Sequence, residues 1–151
     1  MLRTRFFILM NVLVPLFALV PLSAVSRSAS DGVYTKAQAA RGLVVYREEC
    51  TKCHGENLAG GDGSPELTGP EFLQRWNGKT VGDLVELMRL SMPTDDPGHL
   101  SMRQYSDLAA YLLKANDFPE GAGELDRDAA VQREIRIDVK AGKQGTREKT
   151  P

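Results

Sequence analysis

Apolar positions recur at helical spacing in several stretches of the chain, and turn-forming residues separate these stretches. In the first stretch, Gly42 and Tyr46 lie four residues apart and therefore share one helix face. Thr35 stands before this stretch as an N-cap, and Gln38 three residues later completes a capping-box pattern. The pattern predicts a helix from residue 36 to about residue 49.

Three further helices are predicted downstream, and two of them have clear start signals. They cover residues 71–77, residues 81 to about 90, and residues 102–115. Thr80 with Asp83 opens the second of these helices, and Ser101 with Gln104 opens the third. With no strand pattern between them, these helices predict an all-α fold.

The N-terminus has the composition of a targeting segment. Residues 1–24 begin with two arginines, continue with an apolar run, and end in small residues, which is the layout of a secretory signal peptide. The alternative is an uncleaved membrane anchor, although the run is at the short edge of the about 20 residues that a span needs. We expect an exported protein.

The remaining chain divides by composition into four parts. We expect a flexible lead-in over residues 25–34, a domain over 35–118, a C-terminal extension over 119–137 that packs on the domain, and a disordered tail over 138–151. The extension is expected to contain a short helix with an extended end. The formal net charge of −1 is not the balance of a nucleic-acid-binding protein, so we expect no nucleic-acid partner.

Candidate chemistry is concentrated in residues 50–54, which read Cys-Thr-Lys-Cys-His. A C-x-x-C-H run is the attachment signature of a c-type haem. In such a motif the thiols of Cys50 and Cys53 would each bond one vinyl group, and His54 would reach the iron from the proximal face. Two other interpretations are a redox C-x-x-C pair and a zinc site completed by His99. The first needs a βαβ context, and the second needs adjacent side chains to face one metal ion.

Two later segments accompany this motif, Pro65-Glu66-Leu67-Thr68-Gly69 and Met92-Pro93. On these residues the chain resembles class I-type monohaem cytochromes c. It is similar to the cytochrome c subunits associated with periplasmic dehydrogenases. The resemblance implies a cytochrome c fold, with about four helices around one covalently attached haem c. It also implies that the first helix crosses the last one closely, at Gly42 and Tyr46.

The resemblance also implies roles for individual residues. The Pro65 carbonyl would accept a hydrogen bond from the His54 ring, with Pro70 as a rival for this role, and Leu67 would press on the porphyrin. Trp76 has two interpretations that are compatible with each other. It packs in the core, or its indole N–H reaches a haem propionate.

Met92 is the predicted distal ligand of the iron. It precedes a proline in a non-helical stretch, where its side chain can be aimed inward, and the resemblance places a Met-Pro ligand there. Met88 belongs to a helix stripe and is expected in the core. Met102 is expected to be exposed. His99 is the runner-up ligand, but it lies in a polar loop where we expect exposure to solvent.

The resemblance implies a periplasmic one-electron carrier that accepts electrons from a dehydrogenase and passes them to an oxidase or another cytochrome. With both axial positions filled by His54 and Met92, no site remains for a substrate, so we do not expect an enzyme. Membrane contact is expected only if the N-terminal segment is uncleaved. Two alternatives remain. The chain is an obligate subunit of a larger dehydrogenase complex, or an open-site haem sensor or peroxidase-like protein if Met92 does not bind.

Overall fold

The computed structural model describes residues 26–61 and 63–139, so the predicted signal segment lies outside the described residues. The described elements, in chain order, are β1 (Arg27–Ser28), a 3₁₀ turn (Ala29–Asp31), α1 (Lys36–Glu49), α2 (Thr51–His54), α3 (Gly69–Trp76), α4 (Val81–Ser91), α5 (Met102–Ala115), α6 (Ala129–Arg133) and β2 (Ile135–Arg136). This confirms the all-α prediction. Within these two ranges, no helix combines the length and apolar character needed to cross a membrane.

Helix α1 has the predicted bounds, but its capping box is only half formed. The Thr35 hydroxyl accepts a hydrogen bond from the Gln38 backbone N–H at 3.1 Å. The Gln38 side chain does not return to the cap. It is buried, donates to the Leu125 carbonyl at 3.0 Å and accepts from the Leu125 N–H at 2.7 Å. A buried amide must satisfy both its donor and its acceptor, and the backbone of the extension does this better than a cap.

The first and last long helices cross closely at Gly42. A Cβ added to Gly42 would overlap the Asp107 carbonyl of α5 and would lie 2.8 Å from the Tyr111 Cβ. One helical turn later, the rings of Tyr46 and Tyr111 pack with their centroids 5.3 Å apart. The close crossing that the resemblance implied is therefore present, and it explains a glycine inside a helix.

The other helices begin close to their predicted starts. Helix α3 starts two residues earlier than predicted, and Pro70 occupies its first turn, where a missing N–H costs nothing. Helices α4 and α5 begin at the predicted capping boxes, Thr80 with Asp83 and Ser101 with Gln104, and both halves of each box are present.

The expectation of a flexible lead-in is wrong for residues 26–34. Strand β1 pairs in parallel with β2, with Arg27 opposite Ile135. Tyr34 is buried and its hydroxyl donates to the Phe118 carbonyl at 2.6 Å, while its own carbonyl accepts from the Gly121 N–H at 2.7 Å. The segment is too short to show a periodic pattern, and distant residues supply its partners.

The C-terminal extension lies against α4. Helix α6 reaches Gly82, where an added Cβ would lie 2.9 Å from the Arg133 backbone nitrogen. The Arg133 guanidinium also pairs with Glu86 at 2.8 Å. The backbone of Ile137 pairs with Lys79 at 2.8 Å and with the N–H of Gly78 at 2.9 Å. The predicted disordered tail lies outside the described residues from residue 140 onward.

Candidate functional site

The C-x-x-C-H motif occupies the junction of two helices. Cys50 ends α1, and its N–H donates to the Tyr46 carbonyl at 2.9 Å. The next residues form the single turn α2, in which the His54 N–H donates to the Cys50 carbonyl at 2.9 Å. Because that turn brings residues three and four apart to one side, Cys50, Cys53 and His54 all face the same cavity.

This cavity has a volume of about 360 Å³, within the range of cofactor pockets of about 300–1,000 Å³. All seven predicted site residues line it: Cys50, Cys53, His54, Pro65, Leu67, Trp76 and Met92. Much of the remaining wall is apolar and includes Phe72, Leu84, Leu100, Leu108 and Leu112. Two thiols, an imidazole and a thioether around an apolar slot are the groups that a covalently attached haem requires.

The thiol chemistry does not match that of a redox pair. Burial raises the pKa of the Cys50 thiol to about 11, with smaller contributions from the charges of Glu49 and Cys53. A reactive C-x-x-C motif instead has a cysteine whose pKa is lowered. A zinc site is not formed either, since within residues 26–61 and 63–139 no group of three or more Cys, His, Asp or Glu side chains could hold a metal ion.

The ring of His54 is oriented by a backbone carbonyl. His54 is buried, and its Nδ1 lies 2.9 Å from the Pro65 carbonyl oxygen. Because a carbonyl only accepts, this contact places the proton on Nδ1 and leaves the Nε2 lone pair free for a metal. The rival residue, Pro70, lies in helix α3 instead.

The loop that carries Pro65 packs closely against the backbone of Gly60. Gly60 has a φ of +71°, and a Cβ there would meet the Ser64 carbonyl and lie 2.9 Å from the Pro65 carbonyl carbon. Its N–H donates to the His54 carbonyl at 3.0 Å. Gly60 therefore connects the histidine and the proline through backbone contacts alone, which a side chain would prevent.

A tyrosine of α1 holds the other end of the motif. The Tyr46 hydroxyl donates to the Gly55 carbonyl at 2.6 Å, directly after His54. Burial raises the pKa of Tyr46 well above its usual range, so the phenol stays a neutral donor. The sequence placed Tyr46 only at the helix crossing, and the structure adds this second contact.

Trp76 satisfies the core interpretation and also lines the cavity. It is buried, its ring lies 6.2 Å from that of Phe72, and the Lys79 ammonium lies 5.1 Å from its ring centroid. The neighbouring Arg75 also lines the cavity, although no sequence pattern pointed to it. Arg75 is the cation of this wall that is suited to an anionic group such as a propionate.

The opposite wall contains two methionines. Met92 ends α4 with an extended backbone, and its N–H donates to the Met88 carbonyl at 2.9 Å. Both side chains line the cavity, so the core position expected for Met88 is also a cavity position. The Tyr105 hydroxyl lies 3.4 Å from the Met92 carbonyl, a long contact that the sequence did not predict.

The runner-up ligand, His99, lies outside the cavity, and so does Met102. His99 is exposed, with Nδ1 2.8 Å from the Asp96 carbonyl and Nε2 3.3 Å from the Glu49 carboxylate. The prediction that Met102 is exposed is wrong, because it is half-buried against the core at the start of α5. Its position in the first helical turn did not show that its side chain packs against the core.

Comparison with known proteins gives one finding for this region. Residues 37–112 match the model of the protein family described as cytochrome c oxidase, cbb3-type, subunit III. The match includes every residue of the candidate site, from Cys50 to Met92. No curated protein and no solved structure matches the chain significantly.

Proposed function

The chain belongs to the family described as cbb3-type cytochrome c oxidase subunit III, and from this premise we propose a periplasmic electron carrier with His54 and Met92 as axial ligands. Membership means a monohaem cytochrome c with an all-α fold and one covalently bound c-type haem. It also means that the chain is an electron-transfer protein with redox protein partners. The ligands, the compartment and the named partners are the parts that we propose.

The observation that carries the proposed ligation is the contact between His54 Nδ1 and the Pro65 carbonyl, 2.9 Å long, beside the two cysteines. The haem supplies a one-electron iron couple when bound. The chain's own residues hold the imidazole in one tautomer and surround the slot with apolar side chains, so that little rearranges when the charge changes. Cys50 and Cys53 supply the covalent attachment.

Met92 is proposed as the distal ligand in preference to Met88. Both thioethers line the cavity, but Met88 lies inside α4 and packs in the core. Met92 lies at the helix end, where its extended backbone leaves the side chain free of the helical stripe. A thioether in this position favours ferrous haem and raises the potential relative to histidine.

The proposed partners follow from the family and from the N-terminal composition. We propose a dehydrogenase as electron donor and an oxidase or another cytochrome as acceptor, and the family description favours an oxidase. Residues 1–24 support export, and attachment to the membrane if this segment stays uncleaved. The similarity to dehydrogenase-associated subunits is a further proposal, in which the extension docks on a larger enzyme.

The test is an optical spectrum of the protein expressed in a periplasm that attaches haem. We expect a sharp c-type α band on reduction and a weak far-red ferric band from sulfur–iron charge transfer. Met92→Ala removes the far-red band. Met88→Leu, the matched control that removes the other cavity thioether, leaves it unchanged.

Three results would contradict parts of the proposal. Loss of the far-red band in Met88→Leu alone would assign the ligand to Met88. A haem c spectrum without this band in the parent protein would favour an open or bis-histidine site, and with it the sensor or peroxidase-like alternative. No haem at all would overturn the central proposal.

A further inference from the structure

Asn116 is a buried polar residue at the end of α5, and its side chain makes three hydrogen bonds. It is 8 % exposed. Its Nδ2 donates to the Leu112 carbonyl at 2.8 Å and to the Leu67 carbonyl at 3.0 Å, and its Oδ1 accepts from the Gly69 N–H at 3.0 Å. The amide therefore uses both its donors and its acceptor, as buried amides must.

Only one of these bonds belongs to the helix. The bond to Leu112 satisfies a carbonyl of the last turn of α5, which is an ordinary helix-end role. The other two bonds cross to a loop 47 and 49 residues earlier in the chain, on either side of Thr68. Asn116 thus pairs with this loop as a neighbouring strand would, through one carbonyl and one N–H.

This loop is the one that carries Pro65. Its far end is held by Asn116, and the Leu67 N–H donates to the Leu58 carbonyl at 2.8 Å. Leu67 lines the cavity and lies two residues after Pro65, whose carbonyl meets His54. The position of the Pro65 carbonyl therefore depends on how firmly Leu67 and Gly69 are held.

We propose that Asn116 is a positioning residue for the proximal histidine. Through its paired bonds to Leu67 and Gly69 it holds the Pro65 carbonyl against His54 Nδ1, and so keeps the ring in the orientation and tautomer that ligation needs. This inference rests on the proposed ligation by His54. It adds a residue that touches neither the cysteines nor the histidine.

An asparagine is the residue type that this role requires. Leucine of similar size would leave the Leu67 carbonyl and the Gly69 N–H unpaired. Aspartate would keep an acceptor for the Gly69 N–H but would place a second acceptor against the Leu67 carbonyl. Both substitutions therefore release the loop, while the second preserves the size of the side chain.

The experiment uses the ferrous haem-loaded full chain, in which proton NMR reports the exchange of the His54 Nδ1–H with solvent. The variants are Asn116→Asp and Asn116→Leu. We expect exchange to be about tenfold faster in Asn116→Leu, which loses both loop hydrogen bonds. Asn116→Asp keeps the bond from the Gly69 N–H but loses the one to the Leu67 carbonyl, so we expect a smaller acceleration of the same sign. Gln38→Leu is the matched control, since it removes another buried amide with two backbone bonds, to Leu125.

The control separates positioning from general stability. Gln38→Leu lowers the melting temperature but leaves the exchange of the His54 Nδ1–H at the parent rate, measured well below either melting temperature. Unchanged exchange in both Asn116 variants, or equal acceleration in Gln38→Leu, would overturn the inference. Failure of the proposed ligation would appear in the parent protein itself, as the absence of a histidine-ligated haem spectrum, and the inference would fall with it.

Discussion

The two walls of the candidate haem cavity are built differently. The His54 wall is held by backbone-directed hydrogen bonds of 2.6 to 3.0 Å, from Tyr46, Pro65 and Gly60. At Met92, the N–H makes a helix-end bond to the Met88 carbonyl at 2.9 Å, and the side-chain contact described for its carbonyl is a long one of 3.4 Å from Tyr105. An exposed loop over residues 94–99 follows. Short hydrogen bonds from several segments restrict a candidate ligand more than one helix-end bond and one long contact do. We infer that the histidine side is the rigid one, and that the methionine side yields first.

The largest expected effect comes from breaking the rigid wall at Gly60. Gly60→Ala forces a non-glycine residue into φ +71° and drives its Cβ into the Ser64 and Pro65 carbonyl groups. We expect the free energy of unfolding of the haem-loaded protein to fall by about 2–4 kcal/mol, measured by chemical denaturation.

Gly61→Ala is the matched control for this change, since no described atom lies within 4 Å of a Cβ there. We expect it to change the free energy of unfolding by less than about 1 kcal/mol. Equal destabilisation by the two substitutions would mean that the close approach of Gly60 to the Ser64 and Pro65 carbonyl groups does not contribute to stability.

A pair of tyrosine substitutions compares the two walls directly. Tyr46→Phe removes a 2.6 Å bond to the Gly55 carbonyl and should lower the free energy of unfolding by about 1 kcal/mol. Tyr105→Phe removes a 3.4 Å contact to the Met92 carbonyl and should lower the free energy of unfolding by less than about 0.5 kcal/mol. Thermal unfolding of both variants checks this order. A larger loss for Tyr105→Phe would reverse the comparison and make the distal contact the stronger one.

The smallest effect is a pH-dependent one on the distal side. The pKa of His99 is raised above its ordinary 6.5, first by the Asp96 carbonyl and then by the charge of Glu49. A raised folded pKa adds stability that is fully present below the unfolded pKa and is lost as the pH rises through the folded value. His99→Gln should therefore lower the melting temperature in the acidic range only.

The measurement is the melting temperature of His99→Gln and the parent protein between about pH 5 and pH 9, at low salt. The difference should disappear above the raised pKa, and it should also shrink in high salt because the pair is exposed. A difference that is constant with pH would show that His99 acts through packing and not through its charge.

Much of the fold was predictable because its signals are local. Helix α1 begins as predicted because Thr35 caps it, and α4 and α5 begin at capping boxes formed within four residues. The C-x-x-C-H motif and Pro65 were likewise found from short segments. The seven predicted site residues came from such segments or from the family resemblance, and the structure brings all of them to one cavity.

The missed features depend on partners far away in the chain. Gln38 carries the signal of a capping box, but its amide pairs with Leu125 at a separation of 87 residues. The lead-in shows no periodicity, yet it is held by Ile135 and Phe118. Local propensity cannot show which distant backbone group a buried polar side chain will meet.

The sequence by itself determined the helices, the candidate haem attachment residues and the candidate ligands, because covalent attachment and helix capping act between near neighbours. Only the tertiary structure decided how firmly each candidate ligand is held. Asn116 shows the difference, since nothing in its neighbourhood distinguishes it from a helix-end asparagine. Its importance comes from the crossing that brings the end of α5 to the Pro65 loop, where two backbone groups need hydrogen-bond partners.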